Sequence, residues 1–188
     1  TLSKLGIHKF IPARKALYNF FIWLYWPKTK NIIEIQGSKM YVDVFHKDPS
    51  MKDTFRAYAF NKIHEAFTTN LFNKIVRKGD TFVDLGANIG YFSMLAAKLV
   101  GPEGKVYSFE PEPRNYNYLL KNLSLNGYTH VTANQMAVGE ECGKVRLFIC
   151  PYDTGHHTIQ QYDGIQSYRP GFHDDEKRSI EVDKITLD

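Results

Sequence analysis

Cysteine is scarce in this chain, with Cys142 and Cys150 the only two among 188 residues. They flank a predicted strand and no zinc-type C-x-x-C spacing exists, which argues against a disulfide scaffold or a structural zinc site. Both read as free thiols of a reducing compartment, so a cytoplasmic location is expected. Acid is absent from residues 1–30, which hold six bases: Lys4, Lys9, Arg14, Lys15, Lys28 and Lys30. The other 158 residues carry 18 bases against 20 acids, so the overall charge of +4 belongs to the arm. That distribution excludes the basic footprint of a general nucleic-acid binder from the rest of the chain. Long apolar runs are missing too. Residues 16–26 are almost wholly apolar and aromatic, but a membrane-spanning helix needs about twenty such residues. There is no internal repeat, no low-complexity tract and no cluster with metal-ligand spacing.

What is present fits one folded domain with an extension. Apolar content of 43% and charged content of 23% are ordinary for a globular chain of this length. Residues 1–30 form a basic aromatic arm, and 31–188 form the domain. The arm admits three readings: a helix packed on the domain, a helix packed on a second copy in a homodimer, or a helix lying in an anionic membrane interface through residues 14–30. Arg14-Lys15 and Lys28-Thr29-Lys30 flank the apolar stretch and suit the last. No small-residue cleavage site follows, so no signal peptide is expected.

From Asn31 onward the pattern alternates. Ile32–Ile35 and Met40–Val44 predict a hairpin turning at Gly37-Ser38. Residues 52–76 have helical spacing with a break near Thr68-Thr69-Asn70. Strands are predicted at Thr81–Leu85, Lys105–Phe109 and Val131–Met136, then at Lys144–Cys150 and Ser179–Val182. Helices are predicted from about Gly90 to Val100, with Asn88 as N-cap, and from Pro113 to Asn126. Residues 151–178 read as a long polar loop. Strand–helix alternation through residue 136 predicts a parallel sheet, the first part of an α/β, doubly wound Rossmann-like fold.

The chemistry concentrates at two predicted strand tips. Asp84-Leu85-Gly86-Ala87-Asn88-Ile89-Gly90 follows the first strand, and Phe109-Glu110-Pro111 ends the second. A glycine-rich turn lets backbone approach a ligand, and Glu110 is placed to accept hydrogen bonds from both hydroxyls of a ribose. A dinucleotide fingerprint begins with glycine; here an acid, Asp84, stands at the tip. A carboxylate there repels a pyrophosphate and suits a ligand bearing an ammonium group. S-adenosyl-L-methionine carries an ammonium and a sulfonium, and its carboxylate can meet N–H groups of the loop. Its adenine is expected beside Gln135, Met136 and Ala137.

Together with Tyr91-Phe92-Ser93, Asn115, Lys121-Asn122, Asn126, Ala137-Val138-Gly139, Thr154-Gly155-His156-His157 and Val182–Asp188, these motifs resemble the FkbM-type methyltransferases over about residues 37–188. The resemblance implies a class I methyltransferase fold and S-adenosylmethionine-dependent O-methylation of a sugar, glycan, lipid-linked or natural-product hydroxyl. By the same resemblance Asp84, Gly86, Asn88, Gly90 and Glu110 contact the cofactor, joined by the adjacent Ala87 and Pro111, and Glu65 and Thr69 approach its methionine end. Members of that family continue into a further strand bearing an Asp-x-Glu-Gly motif, so the resemblance implies a domain incomplete at Asp188.

Methyl transfer to a hydroxyl needs a proton acceptor near the reacting oxygen. His156 and His157, in the loop beyond the third strand, are the catalytic candidates; His46, His64 and His173 rank below them. No metal is expected. Rival readings are a nucleic-acid or protein methyltransferase and a non-catalytic cofactor-binding module. The Asn/Asp-Pro-Pro-aromatic tetrapeptide of amino-methylating nucleic-acid enzymes is absent, and no nucleic-acid partner is expected.

Overall fold

The computed structural model describes residues 11–29, 31–60, 63–150, 154–159 and 179–188, with side chains from residue 16 onward. The chain divides between Asn31 and Ile32 into two compact units. In the first, helix α1 spans Ile11–Tyr25. Among the described residues no helix is long and apolar enough to cross a membrane.

The second unit opens with strands β1 (Ile32–Ile35) and β2 (Ser38–Tyr41), paired antiparallel. Their turn is Gln36-Gly37, one residue earlier than expected. Both residues have positive φ, 50° and 75°, the left-handed pair that matches the twist of a tight hairpin. Helices α2 (Pro49–Phe60) and α3 (Ala66–Ile75) follow. The helical region thus breaks before Glu65, not at Thr68-Thr69-Asn70. Glu65 takes a left-handed conformation, φ 43°, which an α-helix does not continue through.

Strands β3 (Thr81–Leu85), β4 (Lys105–Phe109) and β5 (Val131–Asn134) form a parallel sheet in that order. Parallel neighbours need crossovers, which α4 (Tyr91–Val100) and α5 (Pro113–Asn126) supply. The sequence of α5 specifies both its ends. Glu112 caps the start by accepting from the Asn115 amide at 2.8 Å, Pro113 opens the first turn, and Gly127 closes it at φ 63°. Ala96, Ala97 and Val100 of α4 pack on Val106 of β4, with Phe82 and Val131 beside them. Burying a side chain of the size of Val contributes roughly 1.5 kcal/mol or more. Among the described residues β3 is an edge strand, and Val83 and Leu85 are exposed.

The expected third strand ends early. Gln135 and Met136 fall outside it, and a separate strand beyond them, β6 (Ala137–Val138), joins a second sheet with β7 (Gly143–Phe148) and β8 (Ser179–Ile185), in the order β6-β8-β7. β7 ends before Cys150, and β8 runs three residues beyond Val182. Thr154–His156 forms a single 3-10 turn inside the segment expected as loop. Cys142 is an exposed free thiol and Cys150 a buried one. His173 lies outside the described residues.

The hairpin docks on α5 through asparagines. Asn126 accepts from the Lys39 amide and donates to the Lys39 carbonyl, both at 2.7 Å. Asn122, fully buried, accepts from the Tyr41 amide and donates to the Ile89 carbonyl, again at 2.7 Å. One side chain therefore ties β2 to the loop after β3.

Candidate cofactor site

The loop 86–90 folds across the tip of β4. The Gly86 and Ala87 amides both donate to the Phe109 carbonyl at 2.9 Å. Gly86, Asn88 and Gly90 all have positive φ, at 79°, 50° and 96°. Any other residue at Gly90 is strained, because the backbone is left-handed and a Cβ there would lie 2.7 Å from Cδ1 of the fully buried Leu119. Asn88 is not the N-cap of α4. Gly90 holds that position, and the Asn88 side chain instead accepts from the Ile89 amide at 2.7 Å. Asparagine tolerates left-handed backbone, which explains its presence inside the turn.

Two carboxylates flank this loop, Asp84 half-buried and Glu110 buried. Asp84 accepts from the Ser93 hydroxyl at 2.6 Å, and Ser93 in turn accepts from Ser108 at 2.9 Å. Burial pushes the Asp84 carboxyl up, and the Ser93 hydrogen bonds offset part of that. Glu110 is only 5% exposed. One of its oxygens accepts from the Asn88 amide at 2.7 Å and the other from the Glu112 amide at 2.9 Å. Burial pushes Glu110 up to about 7, with a smaller upward push from the Glu112 carboxylate and opposing pulls from the two amides and Asn115. Among the described ion pairs, none includes Asp84 or Glu110. A buried carboxylate without a cation is costly. Each carboxylate oxygen has lone pairs beyond the hydrogen bond it already accepts. The donor set therefore fits a ligand that brings hydroxyls to Glu110 and positive charge toward Asp84, as S-adenosylmethionine does.

Around this pair the expected residues fare unequally. Pro111 is half-buried beside Glu110. Gln135 is exposed and Met136 half-buried, between β5 and β6. Ala137 faces elsewhere: its side chain is buried with Leu147 and Val182, and its backbone pairs with Lys184. The early end of β5 takes it into the second sheet. Asn134 is what meets the site from β5, its carbonyl accepting from the Glu110 amide at 3.0 Å. Thr69 is buried, donating to the His64 carbonyl at 2.6 Å and sharing a 3.0 Å hydrogen bond with the Tyr91 hydroxyl. Glu65 is exposed, 3.5 Å from the His64 ring and 3.2 Å from the Thr68 hydroxyl, which donates to it.

The histidine candidates differ in kind. His157 Nδ1 accepts from the Cys150 amide at 3.1 Å, which occupies the lone pair a neutral imidazole would use as a base. His156 is exposed at the end of the 3-10 turn. The resemblance motif's neighbouring Thr154 is the member of that turn placed at the site. It is buried, hydrogen-bonded with Thr54 at 2.8 Å and with the Asn88 side chain at 3.4 Å, and its carbonyl accepts from Asn115 at 3.3 Å. Thr54, Ser108 and Asn134 carried no sequence signal, because their partners lie on other elements. Among the described residues no group of three side chains could hold a metal.

Residues 57–149 match the family model of the TRM5/TYW2 methyltransferase domain, a span containing both carboxylates and the loop between them. Over that span, just under half of its length, the chain is similar to class I methyltransferases. S-adenosylmethionine is the methyl donor of this class. This match does not show the FkbM type; what it supports is the methyltransferase fold and donor. Among curated proteins the chain is similar to methyltransferase sdnD of Sordaria araneosa, 35% identical over 115 residues, which cover 57% of this chain and 44% of that one. It is also similar to Methyltransferase 1 of Beauveria bassiana, 33% identical over 85 residues, covering 45% and 34%. The chain thus spans less than half the length of these relatives. Among solved structures, M. jannaschii TYW2 in complex with AdoMet is 26% identical, with 58% and 44% covered and a TM-score of 0.41. A putative rRNA-methylase from Clostridium thermocellum is 28% identical, with 38% and 39% covered and a TM-score of 0.37.

Proposed function

We propose that this protein transfers a methyl group from S-adenosylmethionine to a hydroxyl of a small-molecule or glycan acceptor, in the manner of the FkbM-type enzymes its motifs resemble. The observation that carries the reading is the pair of strand-tip carboxylates, half-buried Asp84 and buried Glu110, with no ion-pair partner among the described residues and with a left-handed loop between. Glu110 would take the ribose hydroxyls, and Asp84 the cationic amino-acid end. The bound sulfonium supplies an electrophilic methyl group. The chain's own residues must then hold the acceptor oxygen in line and remove its proton.

For the proton, His64 replaces His156 and His157 as the candidate. Its ring lies 3.5 Å from Glu65, which can orient it, and packs against Tyr91, the first residue after Gly90, at 5.3 Å between centroids. His64→Gln should lower kcat by roughly a hundredfold, the scale of general-base catalysis, while donor binding stays unchanged. Equal loss of donor binding would make His64 part of the cofactor pocket instead.

The matched family and the rRNA-methylase relative favour a second reading, an RNA acceptor. The net negative charge of residues 31–188 weighs against it, since a polyanion is gripped by bases. Incubation with labelled donor and separate panels of RNA, glycans and hydroxylated small molecules distinguishes the two. Label in a hydroxyl of the latter panels supports the reading, and label in RNA alone overturns it.

A further inference from the structure

The arm has a feature that methyl transfer does not use. Leu17, Phe20, Phe21, Trp23, Leu24 and Tyr25 of α1 are each at least half exposed, Tyr25 at 73%. At 100° per residue they cover a little over half of the helix circumference, Ile22 lies buried on the remaining side, and Asn19 is the one strongly polar residue from 16 to 26. A helix with so wide an exposed apolar face is stable only when something apolar covers that face. Fifteen residues rise about 22 Å, short of the roughly 30 Å hydrocarbon core. Charge selects the surroundings. The arm holds six bases and no acid, so two copies would repel each other, whereas an anionic lipid surface neutralises both. Lys28 ties the two properties together at one end of the helix. Its ammonium donates to the Trp23 carbonyl at 3.0 Å and lies 5.0 Å from the centroid of the Trp23 ring. Aromatic rings beside basic groups are what the headgroup layer accommodates.

We infer that residues 11–28 dock this protein on an anionic membrane surface, the aromatic helix entering the headgroup and upper acyl region while Arg14, Lys15 and Lys28 meet lipid phosphates. The inference does not depend on the methyl-transfer reading. Trp23 and Trp26 are the only tryptophans of the chain, so intrinsic fluorescence reports on the arm alone.

The full chain should be mixed with vesicles of phosphatidylglycerol and phosphatidylcholine, and separately with pure phosphatidylcholine. The expected result is a tryptophan blue shift and co-sedimentation with the anionic vesicles, weakening with salt. The triple variant Arg14→Gln, Lys15→Gln, Lys28→Gln should lose about fivefold in partitioning per charge removed. S-adenosylhomocysteine binding, measured in parallel, should not change. Absence of the shift with anionic vesicles overturns the inference. So does a lipid-free dimer, by light scattering, whose tryptophans are already protected from an aqueous quencher.

Discussion

The tips of β3 and β4 each carry a carboxylate, half-buried at Asp84 and buried at Glu110, and the two are held by different mixtures of partners. Asp84 rests chiefly on the hydroxyl of Ser93, with Ser108 behind it, and also on the Ser93 backbone. Glu110 rests chiefly on backbone, the amides of Asn88 and Glu112 from the two loops that meet over it, with the Asn115 side chain as a lesser partner. The difference shows how a fold can build one site from two kinds of information. The hydroxyl partners of Asp84 can be deleted singly by substitution. The two amides reach Glu110 only while both turns keep their shape, so Glu110 is at once a ligand group and a clasp joining those turns.

The largest expected effect tests the clasp. Glu110→Ala removes two charge-assisted acceptors for the donor's hydroxyls and should weaken S-adenosylmethionine binding by roughly a thousandfold, against about tenfold if Glu110 were a bystander. Equilibrium dialysis with labelled donor measures it.

Next comes pH. Native Glu110 keeps its proton up to about pH 7, whereas its ordinary value is 4.5. The folded state therefore binds more protons than the unfolded state in between. Its contribution is intact below about pH 4.5 and lost as pH rises through about 7, a loss of about 3 kcal/mol. Urea unfolding of the donor-free chain across that range should show the decline, and Glu110→Gln should flatten it.

Smaller again is Gly90→Ala. A left-handed alanine whose Cβ presses on Leu119 should cost about 2 kcal/mol in thermal unfolding. The smallest effect should fall on the side-chain-held partner. Ser93→Ala leaves Asp84 one hydrogen bond poorer and should cost about 1 kcal/mol while raising the Asp84 carboxyl further. A larger cost for Ser93→Ala than for Gly90→Ala would reverse the comparison.

Local signals were legible in the sequence, and distant ones were not. α5 falls at its expected limits because Pro113, Asn126 and Gly127 mark its ends within the segment itself. β3, β4 and the loop 86–90 also follow from adjacent residues. The early end of β5 was hidden, since it depends on Ala137 pairing with Lys184, 47 positions away by number. The N-cap assignment of Asn88 failed because left-handed backbone at Asn88 and Gly90 is set by the carbonyl of Phe109 and the carboxylate of Glu110, both beyond the turn. Periodicity placed one broken helix over 52–76 but could not see that Glu65 would turn left-handed. The histidines of the 154–157 turn drew attention by residue type, while the buried contacts there belong to Thr154.

Calorimetric titration of the full chain with S-adenosylhomocysteine near pH 7, in two buffers of different ionisation heat, tests the strand-tip assignment most directly. The account predicts one-site binding that releases a fraction of a proton as Glu110 ionises to receive the ribose, with the release gone and affinity cut roughly a hundredfold in Glu110→Gln. Binding that releases no proton and is indifferent to that substitution would contradict it.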